Sequence, residues 1–552
     1  MMDDPRLRLL GGPAHGEGVG ATASDGANSA EAVLRRLDET EVVVTVEADA
    51  DQAARVAVAA FVAMIARLVP RVAIESLGDL PVNWWQAKSW DDLLEGLHAV
   101  RPTAKIPAAR RIVVGFGAQT PDCDLYVGGG DWNVLLGDAP VTLETGNDHA
   151  LGVHAAASLA VSQVLIRVLG DLGFPGVALS GPVVTNLVDH GLHTVDVQRL
   201  TGSGTDKRRV LRAAFLGVGS VGTSALALLA TACSPALNPT TKLGSSLNVT
   251  AVDKDVFDPG RNPYRYPALV GGETAAKATG MVTRLQDLGL SAEAVAKNVA
   301  PWNMSKADPG WHGVLVSSVD TIPGRLDVAD VLGERTLSAG VSGTQLHVQW
   351  ERFADGYACA FCDFVRADPP LTQAGVYAQV TGIPVPRVLA LLQEGAVLEA
   401  ADVETAAATG RVPAHRREAL VGAPFSDLVR QAYAEAEVRP QGSSGAGADV
   451  IAVASPQVSW FAGTLIAAEL IKDMLDYPTV RRRVDLDVGG LPAGVVRSVP
   501  ADDTGSCVCQ SGVRRRWYRT LYGSGDAAPQ PLGSEAAETS PVLTDESSIL
   551  EV

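Results

Sequence analysis

The order of apolar and polar positions divides the chain into two blocks, each of which alternates between strand-like and helix-like segments. In the first block, about residues 30–200, short runs rich in β-branched residues predict strands at Glu41–Val46 and Arg111–Gly115. Longer runs rich in alanine, valine and leucine predict helices at Asp51–Leu68 and His149–Leu169. Strands that alternate with helices in this way predict an α/β fold.

The second block, about residues 208–520, opens with an apolar strand at Val210–Leu216, a glycine-containing turn and a helix that continues to about Ala232. The pattern beyond this helix predicts two further strands and one long late helix, at Leu247–Val252, Gly313–Val319 and Pro456–Leu475. Within the late helix, Gly463–Lys472 resembles Ala157–Ile166 of the first block in pattern. This similarity fits an internal duplication, and it also fits the general likeness of alanine-rich buried helices.

These patterns predict five segments with different properties. Small polar residues at the beginning indicate a flexible leader, and a final segment with acids but no Lys or Arg indicates a disordered acidic tail. Two α/β domains lie between them, and the second contains a helical crossover insert in which Leu371–Gly395 predicts a helix pair. The predicted bounds are 1–30 for the leader, 31–200 for the first domain, 208–522 for the second, 369–439 for its insert and 523–552 for the tail.

Composition and charge narrow the class of protein. The chain has 45 Lys+Arg against 63 Asp+Glu, a formal net charge of −18, which argues against a nucleic-acid or membrane-surface partner because both require a cationic surface. Six cysteines in 552 residues do not make a disulfide-rich secreted scaffold. The N-terminal sequence has no apolar segment typical of a signal peptide. These features predict a cytoplasmic protein.

Three glycines form the sharpest local motif. Gly217, Gly219 and Gly222 have G-x-G-x-x-G spacing between an apolar strand and a helical run. In such a motif the first glycine permits a tight turn, the second lets a phosphate approach the backbone, and the third lets helix and strand pack closely. The helix N-terminus then offers free N–H groups to an anion. Taken alone, the motif also fits a packing turn without a ligand.

An acidic residue follows the next strand. Asp253 comes directly after Leu247–Val252, where a carboxylate can accept hydrogen bonds from ribose hydroxyls. It lies 31 residues after Gly222, which is farther than a compact nucleotide-binding unit requires. A carboxylate that caps a turn is the alternative interpretation.

The residues after this strand carry a longer and more specific motif. Asp255 completes a D-x-D sequence, Asn262 and Arg265 form N-x-x-R, and a glycine pair precedes the helix that bears Lys277. With the glycine motif, this order resembles the superfamily of ubiquitin-activating enzymes and their bacterial ThiF-type adenylyltransferase relatives in thiamine and molybdopterin synthesis. One departure is Tyr266, where the family usually has glutamine.

The resemblance implies a Rossmann-like α/β adenylation domain with a mixed sheet, preceded here by a degenerate, non-catalytic domain of related α/β fold. The first block lacks the N-x-x-R and lysine motifs, and its Gly115-Phe116-Gly117 sequence lacks the third glycine. Family members pair two such domains, so the pair is expected within this chain, with a homodimer as the alternative. The implied reaction is attack of a carboxylate on the α-phosphate of ATP, with release of pyrophosphate.

The same resemblance implies roles for single residues. Asn262, Arg265 and Lys277 would hold the triphosphate, and the glycines, Asp253 and Asp255 would complete the nucleotide site. Asp320, at the end of Gly313–Val319, would bind Mg²⁺, which needs only one or two protein carboxylates. Without the motif order, Arg265 and Lys277 would be ordinary surface charges and Asp320 a turn cap.

Four cysteines form two pairs, and the family carries a structural zinc ion at two such places. Cys359 and Cys362 form C-x-x-C, and Cys507 and Cys509 form the tighter C-x-C. Four thiolates can hold Zn²⁺ in a closed tetrahedral site. Unliganded thiols or a redox pair are the alternatives.

Many family members also form a thioester on a cysteine, and this chain lacks one at the usual place. No cysteine lies between Asp363 and Ser506, and the two remaining cysteines are Cys123, beside two acids, and Cys233, in an apolar helix. The expected substrate is therefore the C-terminal carboxylate of a small ubiquitin-like or sulfur-carrier protein or of a peptide precursor, activated without a thioester on this chain. A non-catalytic nucleotide-binding module and an NAD(P)-dependent oxidoreductase are the alternatives.

Overall fold

In a computed structural model, the described residues are Arg6 and most of residues 23–523. The residues between 23 and 523 that are not described are 76–77, 101–107, 121, 145–147, 173, 175, 196–208, 240, 242, 260–261, 271–273, 354–355, 363–364, 366–371, 394, 410–411, 413, 437–454, 478–482 and 490–494. Most of the predicted leader and all but the first residue of the predicted tail lie outside these residues. The first helix, α1, begins at Ala23, so the predicted boundary at residue 30 falls within a helix.

The first half of the chain forms a six-stranded mixed sheet in the order β2-β1-β3-β4-β5-β6. Strands β2, β1, β3 and β4 are parallel, and β5 and β6 continue the sheet in antiparallel orientation. The elements are α1 Ala23–Asp38, β1 Thr40–Val46, α2 Gln52–Ile65, β2 Arg71–Glu75, α3 Trp90–Val100, β3 Arg110–Phe116, β4 Leu125–Gly129, β5 Asn133–Gly137, α4 Leu151–Leu169 and β6 Val183–Asn186.

The second half forms an eight-stranded mixed sheet in the order β14-β13-β12-β11-β10-β7-β8-β9. Its strands and the helices between them are β7 Leu211–Leu216, α5 Ser220–Cys233, β8 Leu247–Val252, α6 Asn262–Arg265, α7 Lys277–Asp287, β9 Ser291–Val295, α8 Val299–Ser305, β10 Trp311–Ser317, α9 Ile322–Val331, β11 Gly333–Ser342 and β12 Gln345–Glu351. The helices and strands that follow β12 are α10 Gln373–Thr381, α11 Val385–Leu391, α12 Ala400–Ala408, α13 Ala414–Leu420, α14 Phe425–Ala436, α15 Pro456–Met474, β13 Arg483–Asp487, β14 Val495–Arg497 and α16 Gly512–Tyr522.

The parallel part of the second sheet has the Rossmann strand order. Strands β9, β8, β7, β10 and β11 are mutually parallel, and the chain order reverses between β7 and β10. In open α/β sheets, ligands bind at the carboxyl ends of the strands beside such a reversal. The expected fold class, an α/β fold with a mixed sheet, is confirmed.

The two sheets share one layout. In each, a last parallel strand forms an antiparallel pair with the next strand, a long buried helix follows, and one more antiparallel strand joins the sheet. The long helices α4 and α15 therefore occupy equivalent positions, and they contain the similar segments Ala157–Ile166 and Gly463–Lys472. The shared topology favours internal duplication over chance as the origin of that similarity.

Helices from both halves pack against one another in a single apolar core. Helix α15 contacts α5 of its own half and α4 of the other, and α4 also contacts α2. A Cβ atom at Gly463 would come within 2.7 Å of the Ser224 side chain, so the glycine permits α15 and α5 to pack closely. Residues Leu151–Leu172 are long and apolar enough to cross a membrane, but 94% of their most apolar window is buried inside the protein.

The predicted insert is helical in its described part. Helices α10–α14 surround an apolar core of their own, and α10 and α11 are the helix pair predicted within Leu371–Gly395.

A buried ion pair joins the two halves. The Lys472 ammonium is fully buried, pairs with Glu469 one turn earlier on α15, and donates to the carbonyl oxygens of Leu187 at 3.1 Å and Val188 at 3.0 Å. Burial alone would raise the pKa of Glu469, but Lys472 and His190 hold it below its ordinary value.

We expect Lys472→Met to destabilise the protein by about 3–5 kcal/mol, because the Glu469 carboxylate stays buried without its cation. Adding Glu469→Gln removes that uncompensated charge and is expected to restore at least half of the loss in thermal midpoint. Glutamine retains an acceptor for the Trp350 indole N–H, which donates to Glu469 at 2.7 Å. If Lys472→Met alone is as stable as the wild type, the ion pair with Glu469 does not contribute to stability as inferred.

Candidate functional site

The glycine motif forms a tight turn at the carboxyl end of β7. Gly217 has φ +90°, a conformation that L side chains rarely adopt, and a Cβ at Gly222 would come within 2.5 Å of the Gly217 carbonyl oxygen. A Cβ at Gly219 would meet no described atom within 4 Å. Packing within the protein thus accounts for Gly217 and Gly222, whereas Gly219 leaves open space before the N-terminus of α5.

Two carboxylates organise the end of the next strand, β8. Asp253 accepts hydrogen bonds from the backbone N–H of Val218 at 2.7 Å, through Oδ2, and from that of Asp255 at 2.8 Å, through Oδ1. Asp253 therefore contacts the glycine turn directly. Because each carboxylate oxygen has two acceptor positions, both oxygens retain capacity for a hydroxyl donor.

A buried cation faces these two acids. The Lys277 side chain is 11% exposed, its Nζ lies 3.3 Å from Asp255 Oδ2, and its backbone N–H donates to the Asp255 carbonyl at 2.8 Å. The Nζ also lies 5.8 Å from the centre of the Tyr266 ring. Burial alone would lower the pKa of Lys277, but Tyr266, Asp253 and Asp255 raise it above its ordinary value. The ammonium group is therefore charged at neutral pH.

The N-x-x-R motif forms the short helix α6 beside the turn. The Arg265 side chain is exposed, and its backbone carbonyl accepts a hydrogen bond from Ser220 Oγ at 2.8 Å, at the first residue of α5. Asn262 is buried, and its side-chain oxygen accepts from the backbone N–H of Asp258 at 2.7 Å. The Asn262 oxygen thus stabilises the local turn, a structural role in addition to the predicted one. The glycine pair at 271–272 lies outside the described residues.

The carboxyl end of β10 lies against the same turn. Ser318 Oγ donates to the Gly217 carbonyl at 2.8 Å, and a Cβ at Gly217 would lie 3.1 Å from the Val319 side chain. Asp320 follows directly and is exposed to solvent. Contacts of the side chains or neighbouring backbone thus bring the ends of β7, β8 and β10 and the start of α7 to one edge of the sheet. Gly217, Asp253 and Asp320 lie at these three strand ends, and Lys277 is the first residue of α7.

The corresponding place in the first sheet carries an acid. Glu47 follows β1 as Gly217 follows β7, is buried, and has its carboxylate so close to Gly117 that a Cβ there would overlap it. Burial raises the pKa of Glu47. By topology, Glu47 is the counterpart of the glycine turn, and Gly117 lies beside it directly after the neighbouring strand β3. The filled space and the acidic group both disfavour a phosphate.

The four predicted metal-ligand cysteines come together. Their sulfur atoms all lie within 4.8 Å of one another, and Cys362 Sγ is 3.5 Å from both Cys507 and Cys509. Cys359 Sγ lies 3.9 Å from Cys362 and 3.6 Å from Cys507. A disulfide would require about 2.05 Å. Metal–sulfur bonds of about 2.3 Å in a tetrahedron correspond to sulfur–sulfur distances of about 3.8 Å, so the cluster could hold a metal ion.

Backbone pairing holds the two cysteine segments together. The Ala358 N–H donates to Val499 and the Ala501 N–H donates to Gly356, at 2.8 and 2.9 Å. A 3₁₀ turn at Val508–Gln510 lets both cysteines of the C-x-C sequence face the cluster. The tighter C-x-C spacing is therefore compatible with both sulfur atoms joining the cluster.

The other two cysteines have the properties of structural residues. Burial raises the pKa of Cys233 to about 12. Burial, followed by the charges of Asp124 and Asp122, also raises the pKa of Cys123, although Thr120 opposes this. Because the thiolate is the nucleophile, both cysteines are poor candidates for acyl transfer.

Comparisons with known proteins gave structural neighbours only. No protein-family model matches the chain, and no curated protein matches it. Among solved structures, one of E. coli MccB is 14% identical, with 56% of this chain and 69% of that chain covered and a TM-score of 0.31. Another, of E. coli MccB with ATP, is 13% identical, with 55% and 68% covered and a TM-score of 0.30. These low values leave the family of the chain open, and the function proposed below rests on its own residues.

Proposed function

We propose that this protein is a ThiF-type adenylyltransferase that uses ATP to activate a C-terminal carboxylate and releases pyrophosphate. The observation that carries the proposal is the buried, positively charged Lys277 beside Asp253 and Asp255, next to a glycine turn at the strand-order reversal. A buried cation, a carboxylate that can accept hydrogen bonds from ribose hydroxyls, and open space at Gly219 thus occur together. A nicotinamide cofactor has no need of the buried lysine, which disfavours an oxidoreductase.

In the proposed reaction, a carboxylate oxygen of the substrate attacks the α-phosphorus of ATP. The bond from that phosphorus to the bridging oxygen breaks, pyrophosphate leaves, and an acyl adenylate forms. Catalysis of such a step depends mainly on positioning and on neutralising phosphate charge. We assign this task to Arg265 and Lys277, with Asn262 beside them, and the ribose hydroxyls to Asp253.

Asp320 is the proposed Mg²⁺ ligand. An exposed carboxylate at a strand end suits an ion that retains several waters and takes one or two protein oxygens. When bound, Mg²⁺ would supply charge neutralisation at the phosphates.

The remaining parts of the chain receive structural roles in this proposal. Glu47 at the first sheet's reversal makes residues 31–200 a non-catalytic partner of the second domain. The Cys359, Cys362, Cys507 and Cys509 cluster is proposed to hold structural Zn²⁺. With no cysteine between Asp363 and Ser506, any acyl acceptor thiol belongs to another protein.

The test is ATP–pyrophosphate exchange with the full-length protein. Synthetic peptides with free C-termini, including one that ends in Gly-Gly, serve as substrates, and the same peptides with amidated C-termini are matched controls. We expect exchange with at least one free carboxylate and none with its amide. ATP binding is measured in parallel by calorimetry.

Each outcome is informative. Exchange that depends on the free carboxylate supports adenylation. Tight ATP binding with no exchange for any carboxylate supports the alternative, a non-catalytic nucleotide-binding module. The absence of both binding and exchange contradicts the proposal.

A further inference from the structure

Five consecutive backbone carbonyls, those of residues 265–269, each accept a hydrogen bond from a side chain. The first bond, from Ser220 to Arg265, lies within the second half of the chain. The other four carbonyls are bound by side chains of the first half. This segment connects the proposed phosphate ligand Arg265 to the chain that leads to Lys277.

Three buried side chains supply these four bonds. The Trp85 indole N–H donates to the Pro267 carbonyl at 2.9 Å, and that of Trp84 donates to the next carbonyl, Ala268, at 2.8 Å. The Arg67 guanidinium donates to the carbonyl of Tyr266 at 3.1 Å and also to that of Leu269. All three donors are at most 4% exposed.

Loss of these bonds would leave both a buried donor and a buried acceptor without a partner. A buried indole N–H or guanidinium without an acceptor is costly, and so is a buried carbonyl outside regular secondary structure. The described residues 266–270, which follow α6, belong to no helix or strand, and the Tyr266 carbonyl also accepts a bond from the Leu269 backbone N–H at 3.0 Å. Further packing supports the donors: Trp85 stacks on Trp460 at 5.8 Å, and the Arg284 guanidinium lies 5.7 Å from the Trp84 ring.

We propose that the first half of the chain is a positioning frame for the nucleotide site, in which Arg67, Trp84 and Trp85 fix the backbone that carries Arg265. This inference rests on the proposed function and gives the degenerate half a role in it. The Arg265 side chain is long and exposed, so its reach toward a phosphate depends on where its backbone is held. Displacement of a ligand-binding group by 1 Å can cost up to about 100-fold in rate.

The test is a double-mutant cycle on ATP binding. The variant Trp84→Phe/Trp85→Phe removes two donors and keeps aromatic rings in the core. We expect it to raise the Kd for ATP about 10-fold in the wild-type background. In an Arg265→Ala background, the same change is expected to raise Kd less than about 2-fold, because the group being positioned is already absent.

A purely structural role gives a different result. Equal fold-changes in both backgrounds would show that the tryptophans act independently of Arg265 and would overturn the inference. Trp132→Phe is the matched control, since Trp132 is equally buried in the first half but packs on His149 and Tyr477. It is expected to leave the Kd unchanged within about 2-fold.

Hydrogen exchange provides a readout without ATP. In the Trp84→Phe/Trp85→Phe variant, a peptide spanning 265–270 is expected to exchange faster, whereas Trp132→Phe leaves it unchanged. Unchanged protection in both variants would overturn the inference even if the protein is active. Conversely, the variant could lose protection at 265–270 while the wild-type protein shows no pyrophosphate exchange. That result would contradict adenylation but would leave the positioning of this segment by the first half supported.

Discussion

Lys277→Met is expected to lower kcat/KM for adenylation at least about 100-fold, the size of effect typical of a lost transition-state charge contact. Methionine is unbranched and only one atom shorter than lysine, so it fills most of the same buried space and the main loss is the positive charge. Without it, Asp253 and Asp255 remain beside the proposed phosphate site and are expected to repel the triphosphate. ATP–pyrophosphate exchange and the Kd for ATP measure the effect.

Lys306→Met is the matched control for this prediction. Lys306 is also partly buried, but it donates to the Gly310 carbonyl beside the amino end of β10, away from the glycine turn. We expect this variant to change kcat/KM less than about 2-fold. Full activity of Lys277→Met with an unchanged thermal midpoint would remove the main support for the site.

Two of the four parallel strands of the first sheet and three of the five of the second could be predicted, because they are short, apolar runs. The predicted Leu247–Val252 coincides with β8, and the predicted Glu41–Val46 lacks only the first residue of β1. Strands such as Ser291–Val295 and Arg483–Asp487 were not predicted, since they carry small or charged residues and have weak apolar patterns. Their place in the sheet is determined by pairing with distant strands, which local sequence does not encode.

The core of the candidate site follows the linear order of motifs. The glycine turn, Asp253 and Lys277 lie close together in space and follow one another in the order of the family motifs, so their convergence was predictable. The acid at Glu47 was not, because its equivalence to Gly217 depends on the topology of two sheets. The indole donors were also missed, since a buried tryptophan gives no sequence signal for the carbonyl it binds. The sequence therefore did not reveal how the first half of the chain differs from the second or which of its side chains bind the backbone of the second half.

If the cysteine cluster holds Zn²⁺ as proposed, removal of the ion is expected to cost about 5 kcal/mol of stability, by analogy with a cross-link that closes a loop of more than 100 residues. Cys362 and Cys507 are 145 positions apart, so a metal ion bound by both would close a long loop. The variant Cys362→Ser is expected to retain less than about 0.1 equivalent of zinc, because a closed tetrahedral site needs all four thiolates. Its thermal midpoint is expected to fall by about 4 °C, because the entropy of unfolding of a chain this long is large.

Zinc content by mass spectrometry of the purified wild-type chain, expected at one equivalent, provides the reference for this loss. Cys123→Ser is the matched control, since Cys123 lies in the first half and outside the cluster. It should keep both zinc and thermal midpoint. If the wild type contains no metal and all four thiols react with a thiol reagent in the folded protein, the cluster is not a zinc site. Apolar packing of Val499, Ala501 and Val508 around Ala358 would then be the main interaction that holds residues 356–362 against 499–510, because two backbone hydrogen bonds alone contribute only about 1–3 kcal/mol.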